Sequence, residues 1–225
     1  TSTPLSREWG FLQRQGRQPS PEAVESARCR VGMDRVVLDP ERGTVSFAAL
    51  GMELNMGSVG KGWALDRVAA GLRKTGVERA LVSAGGSSFL GWGRGEWPLA
   101  LAPGRTKLAD LWIENASLGI SGAGEQGFEA GGRRLGHVMD PRTGQPAEGV
   151  RSASVVAEDA TSADALATAF LIGGPSLARE YCGGHPGTLA LMVLEDEPET
   201  LLAIGTSDRA QVETVARIDL VSDQE

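Results

Sequence analysis

Three short stretches of the chain carry residue types that do chemistry. The first, "NMGSVGKG" at 55–62, runs straight into a helix-forming segment. Its small residues let backbone approach a ligand closely, unpaired N–H groups at a helix start favour an anion, and Lys61 adds a compact positive charge. The G-x-x-x-x-G-K-[ST] spacing of a Walker loop is missing, and a glycine loop that merely turns the chain is the other reading of these residues. The second is Asp164 and Thr168, four apart in "SADALATAFLIGG" at 162–174. On a helix they share one face, one turn apart, which suits two oxygen ligands of a hard cation such as Mg²⁺. An Asp favouring the helix dipole beside an ordinary helical Thr has the same pattern. The third is "HVMDPRTG" at 137–144, which holds one of only two histidines. Asp140 precedes Pro141, so the helical region is disfavoured there and a strand-to-turn exit is expected, with His137 at the strand end. A proton-transfer group, a metal ligand and a hydrogen-bonded structural imidazole all suit that place.

These stretches need elements to hold them. Leu65, Val68, Ala69 and Leu72 fall at i, i+3, i+4 and i+7, and Gly76 stands at the expected stop, which predicts a helix over 61–75. Another is expected from Pro21, with Ser20 as cap and Gly32 as terminator. A third begins near 162, capped by Thr161 or Ser162 and interrupted at Gly173-Gly174-Pro175, with a further helical stretch to about Cys182. "RVVLD" and "GTVSFA" flank the turn "PERG" as a hairpin, and "RALVSA" reads as a strand. Alternation in "LWIENASLGIS" and "VRSASVVAE" predicts an extensive, partly antiparallel sheet, which "LALMVL" and "LLAIGT" close. The mixed order argues for class α+β in one domain over 1–225, preceded by an irregular arm at 1–20 in which Trp9 and Phe11 are packing anchors.

Composition narrows the partners. The 225 residues are 41% apolar, ample for a packed core, and the net charge of −7 lacks the broad basic footprint of a nucleic-acid binder. Only three of the 22 basic residues are lysines, which singles out the setting of Lys61. Cys29 and Cys182 show no zinc or C-x-x-C spacing and are either a disulfide or two thiols. The longest apolar runs are too short to span a bilayer, and because the sequence begins at Thr1 the lack of a leader says nothing about compartment. "GWGRG" at 91–95 precedes a strand-like stretch and is no dinucleotide fingerprint, and His185 lies in the turn "GGHPG".

Together, in this order, the three blocks resemble the ApbE-type family, the FAD:protein FMN transferases. "NMGSVGKGWALDR" is similar to that family's D-x-G-x-x-x-K-G-x-x-x-D-R block, "HVMDPRTGQP" to its H-x-x-D-P-x-T-G block, and "SADALATAFLIGG" to its A-D-A-x-A-T-A helix. Softer similarity runs from about Trp9 to Gly205. The resemblance implies mixed, largely antiparallel sheets with packed helices. It also implies FAD as substrate and Mg²⁺ as cofactor, with FMN transferred to a Thr or Ser of an acceptor protein and AMP released; some relatives instead hydrolyse FAD to FMN and AMP. Carried over by position, Asp164 and Thr168 supply side-chain oxygens to Mg²⁺ and Ser58 a backbone carbonyl. Lys61 and Asn55 lie by the flavin nucleotide, Met139 lines its pocket, and His137 handles the proton. Family habit points to the bacterial envelope or periplasm.

The sequence departs from the family pattern in three places. Asn55 stands where the family usually has Asp, which keeps hydrogen bonding and removes a charge. Gly124 stands where the family tends to place Tyr. The family's N-terminal part, some strands carrying a Met-Gly-Thr motif, does not precede Trp9; a removed segment, or a shortened relative with altered activity or only flavin binding, would account for that. Oligomerisation is then expected to cover the exposed sheet edge.

Overall fold

The computed structural model describes residues 1–103, 106–123, 127–130, 132–214 and 217–221. Its elements run α1 (Thr3–Glu8), α2 (Pro21–Arg28), β1 (Val36–Asp39), β2 (Thr44–Phe47), α3 (Gly60–Lys74), β3 (Ala80–Ala84), β4 (Ser88–Trp92), β5 (Trp97–Leu101), β6 (Ala109–Ile113), β7 (Ala116–Gly122), β8 (Gly127–Ala130), β9 (Arg133–Gly136), β10 (Val150–Ala157), α4 (Ala160–Gly184), β11 (Leu189–Leu194), β12 (Thr200–Gly205), β13 (Ala210–Thr214) and β14 (Arg217–Val221). The mixed helices and largely antiparallel sheets are those expected. The single domain expected over 1–225 corresponds to two compact units, Thr1–Met56 with Ala123–Ala147 and Gly57–Gly122 with Glu148–Glu225.

In the first unit the segment 1–20 is not an irregular arm throughout: residues Thr3–Glu8 form α1, with Pro4 in the first turn, where its missing N–H costs nothing, and Leu5 fully buried. Trp9 is the anchor its size implied, 3% exposed, with its indole Nε1 donating to the Gly144 carbonyl at 3.0 Å. Phe11 lies against Phe128, ring centroids 5.3 Å apart. The Ser20 hydroxyl accepts from the Ala23 N–H, so α2 starts as its cap and Pro21 predicted; it stops at Arg28, short of Gly32. The hairpin β1–β2 is antiparallel around 40–43 as expected, with Asp39 opposite Thr44, and Trp9, Val24, Ala27, Leu135 and Met139 share one core.

The second unit is built on a seven-stranded sheet ordered β14-β12-β11-β10-β7-β4-β3, antiparallel at every junction except β12–β14. A three-stranded sheet, β13-β6-β5, contributes Leu101, Leu111 and Ile113 to one apolar cluster with Leu118, Val156, Leu191 and Leu201 of the large sheet. On β7 the residues alternate: Leu118 and Ile120 face that cluster, while Gly119 comes against the backbone of α4. Both faces of the middle strands are therefore covered, and β10 is buried at every position but Arg151. The fold does not close at β12 as the sequence reading had it. After Gly205 the chain adds β13, which pairs with β6, and β14, which pairs parallel to β12; these five-residue strands carry too short an alternation to stand out.

The long helix α4 begins two residues earlier than predicted. Asp159, not Thr161 or Ser162, caps it, its Oδ1 accepting from the Ser162 N–H at 2.7 Å. The interruption falls where expected: Gly174 is non-helical at φ 70° and Pro175 follows. Cys29, exposed, and Cys182, buried, are thiols and not a disulfide. Among the described residues no helix is long and apolar enough to cross a membrane.

Candidate active site

Within the second unit, α3 and α4 bring two of the three sequence blocks together at Asp164. This carboxylate is 1% exposed, and each of its oxygens has donors. Oδ1 accepts from Lys61 Nζ at 2.8 Å and from Ser88 Oγ at 3.0 Å, and Oδ2 accepts from the backbone N–H of Gly62 at 3.1 Å. Lys61 also reaches the Gly57 carbonyl at 3.4 Å, which ties its ammonium to the glycine loop. One turn along α4, the Thr168 hydroxyl shares a hydrogen bond with Ser121 Oγ at 2.9 Å and leans on the Asp164 carbonyl at 3.4 Å. A buried carboxylate is tolerated because its charge is paired and its lone pairs are met.

Lys61, Asp164 and Thr168, singled out in the sequence, lie together here; the residues that seat them were not singled out. Ser88 on β4 pairs with Gly119 on β7, so Ser88, Gly119 and Ser121 line one face of the sheet beneath α4. A Cβ at Gly119 would stand 2.2 Å from the Ala163 carbonyl oxygen, so only glycine lets α4 lie this low. Asp66, the acidic residue of the D-R pair that ends the glycine-loop block, accepts from the N–H groups of Ala160 and Thr161, both at 2.9 Å, and from the Thr161 hydroxyl. It thereby answers the donors that the start of α4 leaves open. Ser88, Gly119 and Ser121 carry no local signal beyond a small side chain, whereas Asp66 stands in the quoted glycine-loop block.

The Asp164 carboxylate and the Thr168 hydroxyl, one turn apart on α4, are oxygen donors of the kind a hard divalent ion takes. Among the described residues no three His, Cys, Asp or Glu side chains gather to hold a metal, so any ion here relies on this mixed set. Ser58 is exposed in the turn before α3, next to the Gly57 carbonyl that Lys61 touches.

The first unit holds the remaining predicted residues. His137 directly follows β9 and is half-buried, at the strand end that Asp140-Pro141 implied. The turn after it is closed by its own backbone: Gly144 N–H donates to the Asp140 carbonyl and Asp140 N–H to the Gln145 carbonyl, each at 2.8 Å. Met139 forms an isolated antiparallel bridge with Pro146, and its side chain, 3% exposed, is packed in the core with Trp9 and Val24. Asn55 is exposed in the segment after β2. Gly124 lies outside the described residues. His185 has the structural place read for it, stacked on Tyr181 at 3.9 Å with Nδ1 against the Tyr181 carbonyl.

Asp140 anchors that turn electrostatically. Burial pushes its carboxyl up, but the Arg142 side-chain and backbone hydrogen bonds, the Arg142 charge and the Thr143 N–H outweigh this and hold it below the usual carboxylate range. The guanidinium grips it twice, Nε to Oδ1 at 2.9 Å and Nη2 to Oδ2 at 2.8 Å. With the folded pKa depressed, the contribution to stability is full above the unfolded value of about 3.9 and is lost as pH falls through the folded one. Asp140→Asn is therefore expected to flatten the decline of thermal midpoint below about pH 4 relative to the unsubstituted protein. Superimposable pH profiles of the two proteins would remove Asp140 from this role.

The model of the ApbE family matches residues 1–193. An FAD:protein FMN transferase of Klebsiella pneumoniae is 34% identical over 184 residues, 78% of this chain and 54% of the relative. One of Treponema pallidum is 33% identical over 215 residues, 86% of this chain and 59% of the relative. The chain thus spans somewhat over half the length of these curated relatives. The crystal structure of the ApbE protein from Thermotoga maritima superposes with a TM-score of 0.79 at 30% identity, covering 88% of this chain and 67% of that one.

Proposed function

The chain belongs to the ApbE family, and we propose that it takes part in the reaction for which its curated relatives are named, moving FMN from FAD to a Thr or Ser of an acceptor protein with release of AMP. The observation that carries this reading is the convergence on Asp164 of Lys61, the Gly62 N–H and the glycine loop, with Thr168 one turn away. A dinucleotide pyrophosphate asks for such a cluster: cationic charge, anion-directed backbone and hard oxygen donors for a divalent ion. In this reading Asp164, Thr168 and the Ser58 carbonyl hold Mg²⁺. When bound, the ion supplies positive charge to the phosphoryl oxygens and so favours attack at phosphorus.

The protein's own groups do the rest. Lys61 offsets phosphate charge, while the Gly62 N–H at the start of α3 stays on Asp164 and keeps the carboxylate aimed. Asn55 hydrogen-bonds the nucleotide, while Met139, its side chain packed in the core, supports the turn after His137 and does not line the flavin pocket. His137, set at the end of β9 by the Asp140-anchored turn, takes the proton of the acceptor hydroxyl on a ring nitrogen. The hydroxyl oxygen then bonds to the FMN phosphorus as the bond to the AMP oxygen breaks.

The test is the mass of a Thr-containing acceptor peptide incubated with the protein, FAD and Mg²⁺. A gain of one FMN unit on the peptide, with AMP released and both lost in His137→Ala, is the expected result. No AMP release with Mg²⁺ present would overturn the reading, and free FMN without modified peptide would replace transfer by hydrolysis.

A further inference from the structure

Lys61 is bound to the residue that is meant to hold the metal. Its ammonium sits 2.8 Å from Asp164 Oδ1 and 3.4 Å from the Gly57 carbonyl, beside the Ser58 position proposed as a backbone ligand. Asp164 is 1% exposed at the side chain while that of Lys61 is 35% exposed. The carboxylate is thus fixed and the lysine is the partner with room to leave. Oδ1 already takes Ser88 Oγ, and Oδ2 the Gly62 N–H, so the hydrogen bonds that aim the carboxylate do not depend on Lys61. A second cation on the same buried carboxylate would stand within a few ångströms of the ammonium, where screening by water is weak.

Resting on the metal reading of the previous subsection, we propose that Lys61 and the divalent cation are alternative partners of Asp164. Loading the ion breaks the Lys61–Asp164 pair and turns the ammonium out toward an anionic ligand. Lys61 then acts as a positioning residue in two settings. It neutralises the buried carboxylate when no ion is bound, and it becomes an anion contact only after the ion is in place, which orders metal before phosphate. A lysine suits this exchange because it is a single point charge on a flexible stem.

Two measurements without flavin test it on the whole chain. In calorimetric titration with Mg²⁺, Lys61→Gln is expected to bind about tenfold more tightly than the unsubstituted protein, and Lys61→Arg, which keeps the charge, no more tightly. Amine acetylation read by mass spectrometry supplies a second signal, because the chain has only three lysines. Saturating Mg²⁺ should raise labelling of Lys61 several-fold while Lys74 and the Asp110-paired Lys107 stay constant. Equal or weaker Mg²⁺ binding by Lys61→Gln, with Lys61 labelling unmoved by an ion that does bind, overturns the exchange and leaves the metal site standing. No Mg²⁺ binding by any of the three proteins overturns both.

Discussion

Asp164→Ala is expected to abolish Mg²⁺-dependent AMP release from FAD, by more than about 10²-fold, and to cost the second unit about 2–4 kcal/mol. The two effects share one origin. The carboxylate accepts from Lys61 Nζ, Ser88 Oγ and the Gly62 N–H in a place 99% shielded from water, so its removal strands two buried donors and an ammonium at once. Stranded donors cost more than the hydrogen bonds they formed had contributed, because water does not reach them to compensate. Lys61 is exposed enough to rehydrate, which keeps the loss below that of a fully buried pair. Asp164→Asn separates the terms: the amide oxygen still accepts, so much of the stability returns, whereas the missing charge leaves the ion weakly held. Urea unfolding followed by tryptophan fluorescence reads the first term and AMP release the second. An Asp164→Ala protein as stable as its parent would mean that the three contacts are incidental.

The limits of the sequence reading follow from where each residue's partners lie. The helix over Gly60–Lys74 was legible because its apolar spacing and its Gly76 stop sit inside one window, and the turn after His137 because Asp-Pro and Thr-Gly act over a few residues. Asp164 and Thr168 were legible as a pair, but not their seating. Ser88 lies 76 residues from Asp164, Ser121 47 residues from Thr168, and Asp66 95 residues from Thr161. No period or spacing encodes contacts that only the pairing of β4 with β7, and the crossing of α3 with α4, create. The same holds for α1: its six residues are too few to show a helical period, and burial of Leu5 with Trp9 holds them, not propensity.

Two glycines of one helix should respond to the same substitution with opposite signs. Gly71→Ala is expected to stabilise the protein by about 0.5–1 kcal/mol, since α3 is helical there, no atom lies within 4 Å of the added Cβ, and alanine loses less backbone freedom than glycine on folding. Gly62→Ala gains the same propensity and is nonetheless expected to lose about 3 kcal/mol or more. Its Cβ would stand 2.0 Å from the Ala160 carbonyl oxygen, 2.5 Å from the Ala160 carbonyl carbon and 2.8 Å from the Thr161 nitrogen. These are backbone atoms of the first turn of α4, and they have no rotamer in which to retreat. Relief requires α3 and α4 to part, but Asp66 binds that turn through both N–H groups and Gly62 itself donates to Asp164. Separating the helices therefore breaks the carboxylate's contacts along with the packing, and Gly62→Ala should lose Mg²⁺ affinity as well as stability while Gly71→Ala keeps the affinity of its parent. Denaturant midpoints of the two variants, measured beside Mg²⁺ titrations of each, check both halves, and a Gly62→Ala protein at or above the parent midpoint would show that the helices are not held at this distance.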